Sequence, residues 1–173
     1  AFNPIPAARA SHIGHRLMIP YHAIVRTILF ICTGNTCRSP MAEAIASAHC
    51  GNSKELLFIG SAGVATMNGC PPTEETLVAL NGIGISHEGQ STVLTANMVR
   101  KAALVLCMTP SHVAAVERLI GANDPAARQI HLLDPHGEAI PDPIGMGQPT
   151  YDALAKEFVE IIPRRLETLL GTI

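Results

Sequence analysis

Aromatic side chains are scarce in this chain: four Phe, two Tyr and no Trp among 173 residues. A core must then be assembled from Ala, Val, Ile and Leu, a composition that suits buried parallel strands and the helices covering them. No apolar run approaches the roughly 20 residues needed to cross a bilayer, which excludes a spanning helix. Surplus charge is missing as well. Twelve Lys and Arg stand against 14 Asp and Glu, and a net charge of -2 leaves no electrostatic case for nucleic acid or an acidic membrane surface as a partner. Five cysteines, odd in number and scattered, argue against a disulfide framework and for a reducing, cytoplasmic setting. There is no internal repeat, and the length fits one domain with a single core.

Residues 1–26 stand apart from 27–173. They carry Pro4, Pro6 and Pro20, several His and Arg, and no acidic residue. The continuous apolar stretch of a signal peptide is absent, so the segment reads as an N-terminal extension, an added or upstream piece with Met18 as a candidate start. An ordered arm packing on the domain or on a second copy is the other reading.

What is present is concentrated in one place. The apolar run Thr27–Ile31 predicts a buried strand, and Pro40 opens the helix-forming stretch Met41–Ala46. Between them lies Cys32-Thr33-Gly34-Asn35-Thr36-Cys37-Arg38-Ser39, in which a cysteine and an arginine bracket five residues. The free amides of a helix N-terminus point back at such a loop. Backbone N–H groups, the helix dipole and a planar guanidinium together make a cradle for a tetrahedral anion. The same positive field favours Cys32 as thiolate, the nucleophilic form of the side chain. A thiolate inside an anion cradle implies attack on phosphorus.

A plain strand-to-helix connection with a core cysteine is the bland alternative. It gives no reason for Cys, Asn, Arg and Ser together at this junction. The Gly-Lys-Ser/Thr ending of a nucleotide-binding loop is absent. Zinc is not expected either, because Cys32 and Cys37 have no second close cysteine pair and a metal would occupy the nucleophile. No metal and no cofactor are implied.

Further elements follow in alternation. Glu55–Gly60 is a short apolar run ending in Ser61-Ala62-Gly63, and Pro71–Leu80 reads as a helix stopped by Asn81-Gly82. Thr95 caps a short helix to Ala102, and Ala103–Met108 is a fully apolar strand. Ser111–Ile120 is a helix closed by Gly121, and Gln129–Leu133 is a fourth strand. From Thr150 onward, Tyr151, Leu154, Phe158 and Ile161 or Ile162 form a helical stripe, with a kink expected at Pro163. The pattern predicts an α/β single domain, a parallel sheet of about four strands with helices on both faces. The Cys32 loop then falls at the carboxyl end of the first strand, where such sheets bind ligands.

Phosphoryl transfer from a thiolate needs one more group, a carboxyl that protonates the leaving atom and later activates water. Three Asp-Pro pairs compete: Asp124, Asp134 and Asp142. Asp142 is preferred because it sits in a glycine-bearing loop, Asp142–Gly147, just before the last helix.

The run from Cys32 to Glu43 resembles the active-site loop of the low-molecular-weight protein tyrosine phosphatases, and the resemblance extends from Thr27 to the C-terminus. Ser61-Ala62-Gly63, the segment Gly82–His87 and Asp142-Pro143 match as well. The resemblance implies that Cys32 forms a cysteinyl-phosphate. It implies that Arg38 and the loop Thr33, Gly34, Asn35, Thr36 and Cys37 hold the phosphate, and that Asp142 is the acid and base. Asn35, Ser39, Ser61 and His87 match residues that hydrogen-bond the loop into shape, and Ser39 is also placed to donate to the thiolate. Cys37, next to a reactive thiolate, can trap its sulfenic acid as a disulfide. Cys50, Cys70 and Cys107 read as core or loop residues.

The implied partner is a phosphorylated protein, and two positions bear on which kind. Tyrosine-specific members usually carry aromatic walls just after the late Asp-Pro, where this chain has Ile144 and Gly145. Thr36 replaces a bulkier aliphatic residue common in those members. Both features look like the protein arginine phosphatase branch, although that branch usually has Phe where Ile144 stands here. A hydroxyl at Thr36 can pair with a guanidinium that an aliphatic side chain would leave unpaired. Two other classes share the scaffold or the loop. An arsenate reductase would need a cysteine relay, for which Cys107 is a candidate but position 114 is Ala. A non-catalytic phosphate-binding module would have no use for the thiolate.

Overall fold

A computed structural model describes residues 25–51 and 56–171. The expected extension at 1–26 lies outside the described residues apart from Val25 and Arg26, and Arg26 already begins the first strand. Four strands, β1 (Arg26–Cys32), β2 (Leu57–Gly63), β3 (Leu104–Cys107) and β4 (Ile130–Leu132), form one sheet in the order β2-β1-β3-β4. All three pairings are parallel, as crossover connections through helices require.

Side-chain alternation along β1 divides the core. Ile28, Phe30 and Cys32 face one side, where they pack with α1 (Arg38–Cys50), α2 (Glu74–Gly82) and α5 (Gln148–Leu170). Leu29 and Ile31 face the other, toward α3 (Ala96–Lys101) and α4 (Pro110–Ile120). Three aromatics sit at the centre, Phe30, Phe158 and Tyr151, almost wholly buried, while Phe58 is 58% exposed. A fully buried side chain of this size contributes roughly 1.5–3 kcal/mol, so these few positions matter out of proportion to their number.

Several expectations shift, among them the second strand, which runs on to Gly63 rather than ending at Gly60. Helix α1 begins at Arg38 rather than Pro40, so the arginine and Ser39 already lie in its first turn. Proline fits there because the first N–H groups of a helix have no intrahelical partner to lose. Helix α2 starts after Pro71 and Pro72, at Glu74, because the Thr73 side chain accepts from the Thr76 N–H and caps it. Helix α5 runs through Pro163 to Leu170. Proline forfeits the bond to the carbonyl four residues back, and the buried stripe of Tyr151, Leu154, Phe158, Ile162 and Leu166 outweighs that loss. A short 3₁₀ turn, Pro125–Gln129, precedes β4 and had no signal of its own in the periodicity.

The register sets up the site. Ile31 lies beside Ala62 and Cys107, and Cys32 beside Gly63. β1 is flanked by strands reached in opposite directions, so its carboxyl end opens at the switch point of the sheet. Gly63 is required there: a Cβ would sit 2.6 Å from the Thr33 carbonyl oxygen.

Candidate active site

Strand β1 delivers Cys32 to the rim, and the loop that follows curls over it. Asn35 makes the curl. It adopts a left-handed φ of 54°, a conformation that Asn tolerates better than most residues, and it is 2% exposed. Its backbone N–H donates to Cys32 Sγ at 3.2 Å. Its side chain is fully engaged: Oδ1 accepts from the Thr92 N–H at 2.7 Å, while Nδ2 donates to Ser39 Oγ at 2.9 Å and Ser61 Oγ at 2.7 Å.

These contacts fix a direction for the protons. Ser61 donates onward to Glu43 Oε2 at 2.5 Å. Ser39 Oγ already accepts from Asn35, which leaves its own proton for Cys32 Sγ at 2.9 Å. The sulfur therefore faces two donors, the Ser39 hydroxyl and the Asn35 N–H. Asn35, Ser39 and Ser61 come together as the sequence predicts, and Glu43 ends the chain.

His87 does not join them. Its Nε2 is buried with no hydrogen-bond partner among the described residues, and the ring lies against Gly89, where an added Cβ would come within 2.4 Å of that nitrogen.

Arg38 is 4% exposed and reaches back across the loop. Its Nη1 donates to the Ile140 carbonyl at 3.1 Å and its Nη2 pairs with Asp142 Oδ2 at 2.6 Å. Its Nε is buried without a hydrogen-bond partner among the described residues, a donor left for an anion oxygen. Asp142 thus meets Arg38, and its side chain stays 45% exposed, open to a substrate. All three Asp-Pro carboxylates accept a backbone N–H two residues on, Asp142 Oδ1 from Ile144 at 3.3 Å, but the other two lie away from Arg38 in the hydrogen-bond pattern. Asp124 caps the 3₁₀ turn through Ala126 N–H and pairs with Arg100, and Asp134 Oδ1 accepts from the His136 and Glu138 N–H groups.

Around the mouth, Thr33 is exposed and Gly34 and Thr36 are half-buried. Thr36 Oγ1 lies 3.6 Å from Cys37 Sγ, and its carbonyl accepts from the Thr73 N–H. Cys37 is buried and its sulfur lies 3.5 Å from Tyr151 Oη and 3.7 Å from Thr73 Oγ1. Burial pushes the Tyr151 phenol up to about 12, with Cys37 adding to it, so this hydroxyl stays neutral. Ile144 and Met146 are 61% and 66% exposed beside Asp142. No group of three or more His, Cys, Asp or Glu able to hold a metal occurs among the described residues.

One residue at the site has no sequence signal in the loop itself. His112, in the first turn of α4, is 4% exposed and places Nε2 2.8 Å from Thr33 Oγ1. Burial and the Arg38 charge push its imidazole down to about 4, Asp142 partly opposing, so it is neutral at pH 7. The hint was its position just past β3, whose carboxyl end adjoins that of β1.

Comparison with known proteins gives a consistent picture. A protein-arginine-phosphatase of Geobacillus stearothermophilus is 34% identical over 145 residues, covering 82% of this chain and 95% of that protein. The crystal structure of a low molecular weight protein tyrosine phosphatase from T. tengcongensis is 32% identical and superposes with a TM-score of 0.75, over 83% of this chain and 99% of that one. An arsenate reductase of Bacillus anthracis is 32% identical over 144 residues, 83% of this chain and 96% of that protein. The family model described as low molecular weight phosphotyrosine protein phosphatase matches residues 27–173, from the first strand through the last helix. The chain belongs to that family.

Proposed function

We propose that the protein hydrolyses phosphoarginine on proteins through a cysteinyl-phosphate at Cys32. The observation that carries this reading is Arg38: two of its nitrogens are anchored on Ile140 and Asp142, and the buried third is unpartnered among the described residues, beside a loop curled over a hydrogen-bonded sulfur. Such a cradle matches three phosphoryl oxygens around an attacking thiolate.

In the first step the Cys32 thiolate attacks phosphorus in line, the S–P bond forms and the P–N bond of the phosphoguanidine breaks. The Asp142 carboxyl gives its proton to the departing nitrogen. In the second step the Asp142 carboxylate takes a proton from water as that water attacks phosphorus. The S–P bond breaks, phosphate leaves, and the Ser39 hydroxyl steadies the returning thiolate. Protein phosphotyrosine would follow the same two steps with a phenolic oxygen leaving.

The absence of aromatic walls beside Asp142 supports phosphoarginine, as does the Thr36 hydroxyl at the half-buried edge of the loop. The arsenate reductase reading is weakened by Cys107. It is fully buried and faces the α3–α4 side of the sheet, opposite Cys32. Burial, with Glu117 adding, holds its thiol at about 12, the wrong form for a relay.

Side-by-side assays on phosphoarginine, phosphotyrosine and phosphoserine peptides, with thiol-dependent arsenate reduction alongside, test the proposal. Highest catalytic efficiency on phosphoarginine is expected. Thr36→Ile should lower it while sparing phosphotyrosine. A parent enzyme that prefers phosphotyrosine, with a ratio unmoved by Thr36→Ile, would leave a tyrosine phosphatase.

A further inference from the structure

His112 is a buried histidine held at both nitrogens. Nδ1 lies 2.9 Å from Thr109 Oγ1, and Nε2 lies 2.8 Å from Thr33 Oγ1. Thr109 is the cap of α4: its oxygen accepts from the His112 N–H and lies 2.8 Å from Ser111 Oγ. The far end of this chain is therefore anchored on a helix terminus. The near end, Thr33, is the exposed residue directly after Cys32. Its hydroxyl is not needed for phosphate binding, since the loop amides and Arg38 provide that cradle.

We propose that Thr33 is a specificity-determining contact to the leaving group and that His112 is the positioning residue that sets its hydroxyl. The proposal rests on the phosphoarginine reading above. A guanidinium offers only donors. It is met by an oxygen whose own proton points away, and His112 supplies the acceptor that draws that proton off. The order then runs without conflict: Thr33 O–H donates to Nε2, Nδ1–H donates to Thr109 Oγ1, and Thr109 O–H donates to Ser111. Lone pairs of Thr33 are left facing the substrate. This order needs a neutral imidazole, because an imidazolium would donate from both nitrogens and turn the Thr33 proton outward. Burial and the Arg38 cation on α1 keep the ring uncharged, against the weaker opposing field of Asp142 from the loop before α5. A tyrosine ester oxygen offers no N–H, so the arrangement discriminates between the two leaving groups.

The test compares kcat/KM on phosphoarginine and phosphotyrosine peptides for the full chain and its variants. The ratio of the two is independent of how much of a variant is folded. Thr33→Val should lower the phosphoarginine-to-phosphotyrosine ratio about tenfold or more, and Thr33→Ser should hold it within about twofold. His112→Ala should lower the ratio similarly and add nothing in the Thr33→Val background, since the two act as one unit. A ratio unmoved by Thr33→Val would overturn the proposal. So would a ratio unmoved by His112→Ala, or a further fall when His112→Ala is added to Thr33→Val. A parent chain inactive on phosphoarginine overturns the phosphoarginine reading and this inference with it. A parent active on phosphoarginine with an unmoved ratio overturns this inference alone.

Discussion

Replacing Asn35 is expected to damage the protein in two separable ways. The residue combines a left-handed backbone with three side-chain hydrogen bonds, to Ser39, Ser61 and the Thr92 N–H. Each bond is worth about 1 kcal/mol net, so losing all three costs about 3 kcal/mol. Alanine adds about 1–2 kcal/mol of left-handed strain, whereas glycine adds only about 0.5–1 kcal/mol of backbone entropy. Asn35→Ala should therefore lose about 4–5 kcal/mol and Asn35→Gly somewhat less. For a chain of this length the melting temperature should fall by about 10 °C or more. Urea unfolding of both variants measures the difference. A loss below about 1 kcal/mol in Asn35→Ala would show that the network does not hold the loop. Greater instability of the glycine variant would show that backbone strain is not what Asn35 relieves.

Cys32→Ser should abolish turnover while phosphate still binds, because an alkoxide forms far less readily than a thiolate; residual activity within about tenfold of the parent would exclude a cysteinyl intermediate. Asp142→Asn should slow substrates with poor leaving groups far more than an activated aryl phosphate, and the same signature in Asp134→Asn instead would move the acid to the wrong loop. Stability should fall as pH drops from about 6.5 toward 4: His112 is held neutral down to about 4, so the unfolded chain binds the extra proton in that window. The full shift amounts to about 3 kcal/mol, and His112→Gln should flatten the profile in urea titrations, with His131, lowered by burial and Arg165, retaining part of the slope. Mild peroxide should inactivate reversibly through a Cys32–Cys37 disulfide, a role refuted if Cys37→Ser recovers as fully as the parent.

The parts of the site that lie along one stretch of chain were legible before any fold was known. Cys32, Asn35, Arg38 and Ser39 belong to a single strand-loop-helix junction, and its chemistry can be read in order. Asp142 was readable as a glycine-flanked Asp-Pro, though all three Asp-Pro carboxylates accept an N–H two residues on and what singles Asp142 out is its contact with Arg38. Glu43, His112 and Tyr151 were not legible. Glu43 meets Ser61 only through the packing of α1 on β2, His112 meets Thr33 only because β3 pairs with β1, and Tyr151 meets Cys37 only where α5 crosses the loop. His87 matches in sequence order, while its buried Nε2 finds no hydrogen-bond partner among the described residues and its ring lies against Gly89. Helix starts shifted for a local reason, since the first turn of a helix accepts proline anywhere and a threonine cap overrides the proline signal.

The loop that bears Asp142 is anchored on one side and exposed on the other. Arg38 grips it from within at Ile140 and Asp142, while Ile144 and Met146 are exposed on either side of Gly145, and Gly145 and Gly147 both have positive φ. Nothing lies within 4 Å of where a Cβ on Gly145 would stand. The outer residues can therefore be exchanged at little cost to folding, provided the two glycines are kept. Selection can redraw what the mouth of the pocket recognises while the carboxylate stays where the guanidinium holds it. A lineage built this way can change clients without relearning its chemistry.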